Sequence, residues 1–232
     1  MDLIQVEVKS GLKHIKFTSH KNRNPLSIDL INQLEEALSV PVGDDQAVVI
    51  YCQSAGADLN MLRQLIDNRD ELGLYHYSLR IGGLYKSIRQ CHYPIVCVPC
   101  DYVIGGAFGI MLACDLVLSM PNTRFRLPEI RHGIIPSQIF SCLEQRLGYE
   151  KALAVACHCD LFNAKSAYHR GLIDRVLPSR SDITFELLNW TQSSPAAIRV
   201  LKQNKPDAAV LDNQIEKSAV VFASHCLQFA DI

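Results

Sequence analysis

Twice in this chain an apolar, strand-like run passes through a cluster of small residues directly into a helix-like run. In the first instance, residues 47–51 (Ala-Val-Val-Ile-Tyr) lead through Ser54-Ala55-Gly56-Ala57-Asp58 into the pattern Leu59, Leu62, Leu65, Ile66. In the second, Ile95-Val96-Cys97-Val98 leads to Ile104-Gly105-Gly106-Ala107-Phe108-Gly109 and on to Met111-Leu112-Ala113-Cys114-Asp115. Alternating strands and helices, with strands apolar nearly throughout, imply a mainly parallel sheet covered by helices. Glycines at the strand-to-helix junction let the backbone present bare N–H groups to a ligand, and the helix dipole favours negative charge there. Two such turns are what an oxyanion hole made of two backbone amides requires.

The remaining patterning fills in an α/β plan. Residues 3–17 alternate apolar and polar side chains about Gly11, as in a hairpin. Ser27 is placed to cap a helix carrying Leu30, Ile31, Leu34 and Leu38. A turn is expected at Pro41-Val42-Gly43-Asp44-Asp45, a helix over 77–91, and a short strand over 116–119. From 138 to 232 the chain reads as helical, interrupted by a strand-like Ile173-Asp174-Arg175-Val176. Asp101 reads as a loop residue before the second turn, Asp58 as a helix cap and Asp115 as a structural polar residue.

Bulk properties narrow the function classes. The 232 residues suit one domain with a sizeable core, and 48% hydrophobic against 20% charged residues is a globular mixture. A formal charge of −1 gives no electrostatic footprint for nucleic acid or an anionic membrane surface. No apolar run approaches the roughly 20 residues of a membrane span, and the first residues lack an apolar signal core, so a cytoplasmic location is expected. Nine cysteines are an odd number; Cys97, Cys100, Cys114, Cys142 and Cys157 sit in apolar runs and are expected as reduced, packed thiols. Cys157-His158-Cys159 has no second ligand pair at zinc-site spacing, and no metal is expected.

In order and spacing, the motifs resemble those of the crotonase superfamily, the enoyl-CoA hydratase/isomerase family. They are Arg23-Asn24-Pro25-Leu26-Ser27, the two turns, Phe125-Arg126-Leu127-Pro128-Glu129-Ile130, Gly133-Ile134-Ile135-Pro136, Ala164-Lys165-Ser166-Ala167 and Gly171-Leu172-Ile173-Asp174. The resemblance implies a ClpP/crotonase-like fold: a core of repeated ββα units over residues 1–175 and a C-terminal helical region over 176–232. It places the oxyanion amides at Ala57 and Gly106, with Ala55, Gly56, Asp58, Gly105 and His132 around the substrate. It also places a catalytic carboxylate at Glu129. Where the family's hydratases carry a further acidic residue, three positions after the second oxyanion glycine, this chain has Gly109. That departure argues against two-carboxylate hydration and favours proton transfer by a lone glutamate. Gly109→Glu is then expected to restore the second carboxylate if there is room for it. His132 is a weaker proton-transfer candidate, and Tyr85 and Tyr102 are candidate hydrogen-bonding groups.

The implied activity is isomerase- or hydratase-type chemistry on an acyl thioester through an oxyanion-stabilised enolate, with no cofactor. One alternative is a decarboxylase or dehydratase acting on carrier-protein-bound intermediates of polyketide-type biosynthesis. Another is a non-catalytic scaffold of the same fold. The final-helix signature that covers the nucleotide of coenzyme A in relatives is not seen here, so coenzyme A and the phosphopantetheine arm of an acyl carrier protein both stand as carriers. The resemblance, with the apolar stretch Ala219, Val220, Val221, Phe222 and Leu227, further implies a homotrimer or a dimer of trimers.

Overall fold

The computed structural model describes residues 2–40, 47–203 and 208–228. The expected turn at 41–45 lies outside these residues. Strands β1 (Ile4–Lys9) and β2 (Leu12–Phe17) form the antiparallel hairpin, turning at Ser10 and Gly11 with φ of 54° and 73°. Helix α1 (Ile28–Ser39) starts at Ser27, whose hydroxyl accepts from Leu30 N at 3.2 Å, and buries the four apolar residues read as its inner face. Strand β3 (Ala47–Ser54) then runs parallel to β2.

Helices α2 (Leu59–Asp67) and α3 (Glu71–Gln90) follow the first turn. Helix α3 begins at the Asp70 cap, six residues before the expected start, because Leu74 is buried and extends its inner face. Strand β4 (Ile95–Ile104) pairs parallel to β3 and leads through Gly105 and Gly106 into α4 (Ala107–Ala113). Strand β5 occupies Leu116–Ser119, as expected.

Two short strands escaped the sequence reading: β6 (Arg124–Arg126), and β7 (Phe162–Asn163) in the stretch read as helical. At three and two residues they are too short to show periodicity. The rest comprises α5 (Ser137–Leu147), α6 (Tyr149–His158), α7 (Ala164–His169), β8 (Arg175–Val176), α8 (Arg180–Thr191), α9 (Pro195–Gln203) and α10 (Ala208–Gln228). The sheet order is β1-β2-β3-β4-β5-β8, with β6 joining β4 and β7 joining β6.

The central strands are apolar on both faces because helices cover both. Val48, Ile50 and Cys52 point into the main core with α1, α3 and α4; Ala47 and Val49 point the other way, against Ile183 and Leu187 of α8. Helix α10 also joins the main core, through Ala223 and Cys226. The C-terminal helices therefore share their cores with residues of the first 175. Phe108, Phe125 and Phe162 meet at centroid separations of 5.9–6.1 Å and lock α4 onto β6 and β7. Asp115 accepts from Ile95 N at 2.8 Å and from Lys202 Nζ at 2.5 Å, fastening α9 to the start of β4. All nine cysteines are unpaired thiols; Cys157 is exposed rather than packed, because it lies on the outer side of α6. Among the described residues no helix is long and apolar enough to cross a membrane.

Strand β4 bends, and the bend builds the site. Its ladder with β3 is regular as far as Cys52↔Pro99 and resumes at Ser54↔Val103, so β4 carries two extra residues there. Pro99 cannot donate a ladder bond, and Asp101 adopts φ of 49°. Asp101 is therefore the exposed bulge residue of a strand and not a loop residue. Before the bend β4 pairs with β5; after it, Tyr102–Ile104 pairs with β6. The strand end is thereby turned toward β3's own exit.

Candidate active site

The two strand-to-helix turns abut. A Cβ built on Gly56 would lie 2.7 Å from Ile104 O and 3.0 Å from Gly106 N, so only glycine lets the turns approach this closely. The first turn is held from both sides. Ala55 N donates to Arg23 O at 2.9 Å, Leu26 N donates to Gly56 O at 2.8 Å, and Gly56 N donates to Ser54 Oγ at 3.1 Å. In the second turn, Gly105 N donates to Arg126 O at 3.0 Å. The N–H groups of Ala57 and Gly106, one from each turn, have no acceptor among the described residues. Both residues line a cleft of about 460 Å³.

Helix α3 pins this arrangement with two tyrosines one above the other. Tyr77 Oη accepts from Asp58 N and donates to Leu26 O, each at 2.9 Å. The Tyr85 hydroxyl donates to Gly106 O at 2.5 Å. Burial pushes both phenols above the usual tyrosine range, so they remain neutral donors. Tyr77 was not singled out from the sequence, because an aromatic at helical spacing reads as core. Tyr77→Phe should strand a buried amide and a buried carbonyl, costing about 2 kcal/mol, or roughly 4–8 °C in Tm, with a parallel loss of turnover. Differential scanning calorimetry alongside a thioester assay checks this.

Glu129 enters from β6. The ladder pairs Ile104 with Arg126, and the Gly105–Arg126 bond continues it. Three residues on, Glu129 opens a 3-10 turn over 129–132, closed by Gly133 at φ 68°. A Cβ on Gly105 would lie 2.6 Å from Glu129 Oε1, so the carboxylate lies against the second turn. Glu129 Oε2 is buried with no hydrogen-bond partner. Burial raises the Glu129 pKa from 4.5 to about 7, partly opposed by a hydrogen bond from its own backbone N–H. A carboxylate poised near neutrality, with one oxygen buried and unpartnered, is suited to taking and returning a proton.

Of the residues expected around a substrate, Ala55, Ala57, Gly105, Gly106, Glu129 and His132 line the cleft, His132 at its exposed rim. Gly56 and Asp58 do not. Gly56 is buried in the contact between the turns, and the Asp58 carboxylate caps α2, accepting from Asn60 N and Met61 N at 3.1 and 3.2 Å. Tyr102 faces away, in the β4–β6 ladder, whereas Tyr85 lines the cleft. The apolar walls come from Leu62, Ile66, Ile81, Ile134, Ile139 and Phe222. The contribution of Phe222 depends on α10, held to α5 by Ser137 Oγ donating to Ser218 O at 2.8 Å and Gln138 Nε2 donating to Ile215 O at 3.0 Å. Arg23 and Arg63 also border the cleft. Gly109 has no room for the carboxylate considered above: a Cβ there would lie 2.0–2.4 Å from Cζ, Cε2 and Oη of Tyr85.

A bent parallel sheet whose glycine turns meet beside an apolar cleft is the crotonase fold. The solved enoyl-CoA hydratase from Bacillus halodurans shares it, with a TM-score of 0.87 over 99% of both chains at 19% identity. The Enoyl-CoA hydratase/isomerase family matches residues 7–226, and the chain belongs to that family. Among its relatives, the 2,3-dehydroadipyl-CoA hydratase of Escherichia coli is 28% identical over 78% of this chain and 71% of its own. The carboxymethylproline synthase of Pectobacterium carotovorum is 26% identical over 87% of this chain and 85% of its own.

Proposed function

We propose that the protein is a proton-transferring enzyme of acyl thioesters, of the isomerase type, with Glu129 as its single acid–base group. The observation that carries this reading is the Glu129 carboxylate. Its Oε2 is buried and unpartnered, and its Oε1 lies against Gly105, in the cleft that Ala57 and Gly106 also line. A thioester carbonyl accepting from both amides becomes a better electron sink, so removal of an adjacent proton yields a stabilised enolate. With a 3-enoyl thioester, Glu129 takes a proton from C2, the electrons spread to C4 as a dienolate, and the proton returns at C4 to give the 2-enoyl isomer. No water and no redox partner enters. The apolar walls suit an aliphatic or aromatic acyl chain, and their exclusion of water strengthens both amides.

The test is solvent exchange. In D2O the protein should exchange the C2 proton of a 3-enoyl-CoA and convert it to the 2-enoyl isomer. A parallel arm with the same acyl group on an acyl carrier protein assigns the carrier. Absence of both exchange and isomerisation on both carriers would overturn the reading. We also propose a homotrimeric assembly: Val220 and Val221 of α10 and Phe185 and Leu188 of α8 expose apolar surface, while Ala219 is buried. Multi-angle light scattering at micromolar concentration should give three times the monomer mass or a multiple of that, and a strict monomer would contradict it.

A further inference from the structure

The position three residues after Gly106 has no side chain, yet the space above it is filled. A Cβ built on Gly109 would overlap Cζ, Cε2 and Oη of Tyr85, which reaches across from α3. The overlap is with a ring held in place. Tyr85 is 3% exposed, its hydroxyl donates to Gly106 O at 2.5 Å, and Leu84 and Ile88 beside it on α3 are buried. Tyr85 and Glu129 line the same cleft. A glycine and a tyrosine on different elements thus form a matched pair: the ring occupies the space that a side chain at 109 would need.

We propose that Tyr85 is the specificity-determining residue of this site, a plug that keeps a second acidic group and its water away from the bound thioester. This rests on the proton-transfer reading of Glu129. Hydration adds water across the double bond, oxygen to C3 and a proton to C2, and needs a water molecule held beside C3 by a polar side chain. Tyr85 takes that volume and spends its only proton on the Gly106 carbonyl, so its hydroxyl donates to no such water. With a 2-enoyl thioester, the remaining chemistry is movement of a proton by Glu129. The same hydrogen bond fixes the second turn, so Tyr85 excludes water and positions the Gly106 peptide at once.

The test uses a four-carbon 2-enoyl-CoA in H2¹⁸O, with ¹⁸O at C3 read by mass spectrometry, beside deuterium exchange at C4 in D2O, where removal of a proton gives the same dienolate. Wild-type protein should exchange deuterium without incorporating ¹⁸O above the buffer background; Tyr85→Phe, which keeps the ring but loses the bond to Gly106 O, should exchange more slowly and likewise incorporate no ¹⁸O. The volume-compensated double variant Tyr85→Ala/Gly109→Glu should incorporate ¹⁸O at least tenfold faster than wild type. If that pair does not fold, Tyr85→Val/Gly109→Asp takes its place in the same assay. A folded double variant that exchanges deuterium but gains no ¹⁸O overturns the assignment, as does wild-type protein that hydrates as fast as the double variant. A wild-type protein with neither deuterium exchange nor interconversion of the 2-enoyl and 3-enoyl thioesters overturns the Glu129 reading instead. A thermal cycle then still decides the role of Tyr85 without substrate. Gly109→Ala should lower Tm in the wild-type background and lower it less in Tyr85→Ala; equal losses would show that the ring does not hold this space.

Discussion

Glu129→Gln should lose most turnover, on the order of 10²–10⁴-fold in kcat, with thioester affinity little changed. Glutamine keeps the shape and fits against Gly105 but cannot accept a proton. Because burial raises the carboxyl pKa to about 7, kcat/KM of the parent protein should climb through pH 7 as Glu129 ionises, then level off. The variant's residual rate should show no such limb. The same carboxyl makes an opposite prediction for stability. Its pKa is near 4.5 in the unfolded chain and about 7 in the fold, so between those values the folded state holds a proton that the unfolded state has released. Stability therefore falls as pH rises through that window, and above about 7 the full cost remains, of order 3 kcal/mol. Glu129→Gln should melt higher than its parent at pH 8 and close to it at pH 4. Calorimetry at the two pH values, with single-turnover kinetics, checks both halves. An active glutamine variant would place the chemistry elsewhere, with His132 next to test.

The second large effect is expected at Gly56. A methyl group there meets Ile104 O at 2.7 Å and Gly106 N at 3.0 Å, and both are backbone atoms that cannot swing aside. The residue also holds φ of 91°, which side-chain-bearing residues rarely adopt. Gly56→Ala should therefore force the turns apart and separate the Ala57 and Gly106 amides. Loss of one oxyanion donor typically costs about 10²–10³ in kcat, and that is the expected defect. A drop in Tm should accompany it. Kinetics and thermal denaturation of this variant, compared with Gly11→Ala, separate the two contributions. Gly11 has φ of 73° but no neighbour within 4 Å of a built Cβ, so Gly11→Ala should lose stability and keep activity.

The elements that were legible in the sequence are those whose signal is local. The Ser27 and Asp58 caps need only a side-chain oxygen two or three residues before a free amide. The hairpin at Gly11 and the apolar runs of β3 and β4 announce themselves by periodicity and burial. Strands β6 and β7 escaped because each is held by ladder bonds and by Phe125 and Phe162 in the core, none of which shows in two or three residues of sequence. Asp101 misled for a similar reason: a bulge is a property of two strands paired out of step, and one strand read alone cannot show it.

By itself the sequence determined the two glycine turns, their strand-to-helix setting, the glutamate after Pro128 and the missing side chain at position 109, because each is a matter of residue type and spacing. Tertiary structure alone decided what these pieces meet. The bend of β4 brings Gly105 against Glu129, Tyr77 ties Asp58 N to Leu26 O, and Phe222 reaches the cleft from the far end of the chain. The clearest case is Gly109: in sequence it is an absence, and in the fold it is the seat of the Tyr85 ring. Close packing joins residues 24 positions apart there, and no periodicity along the chain encodes which side chain will fill a hole left by another.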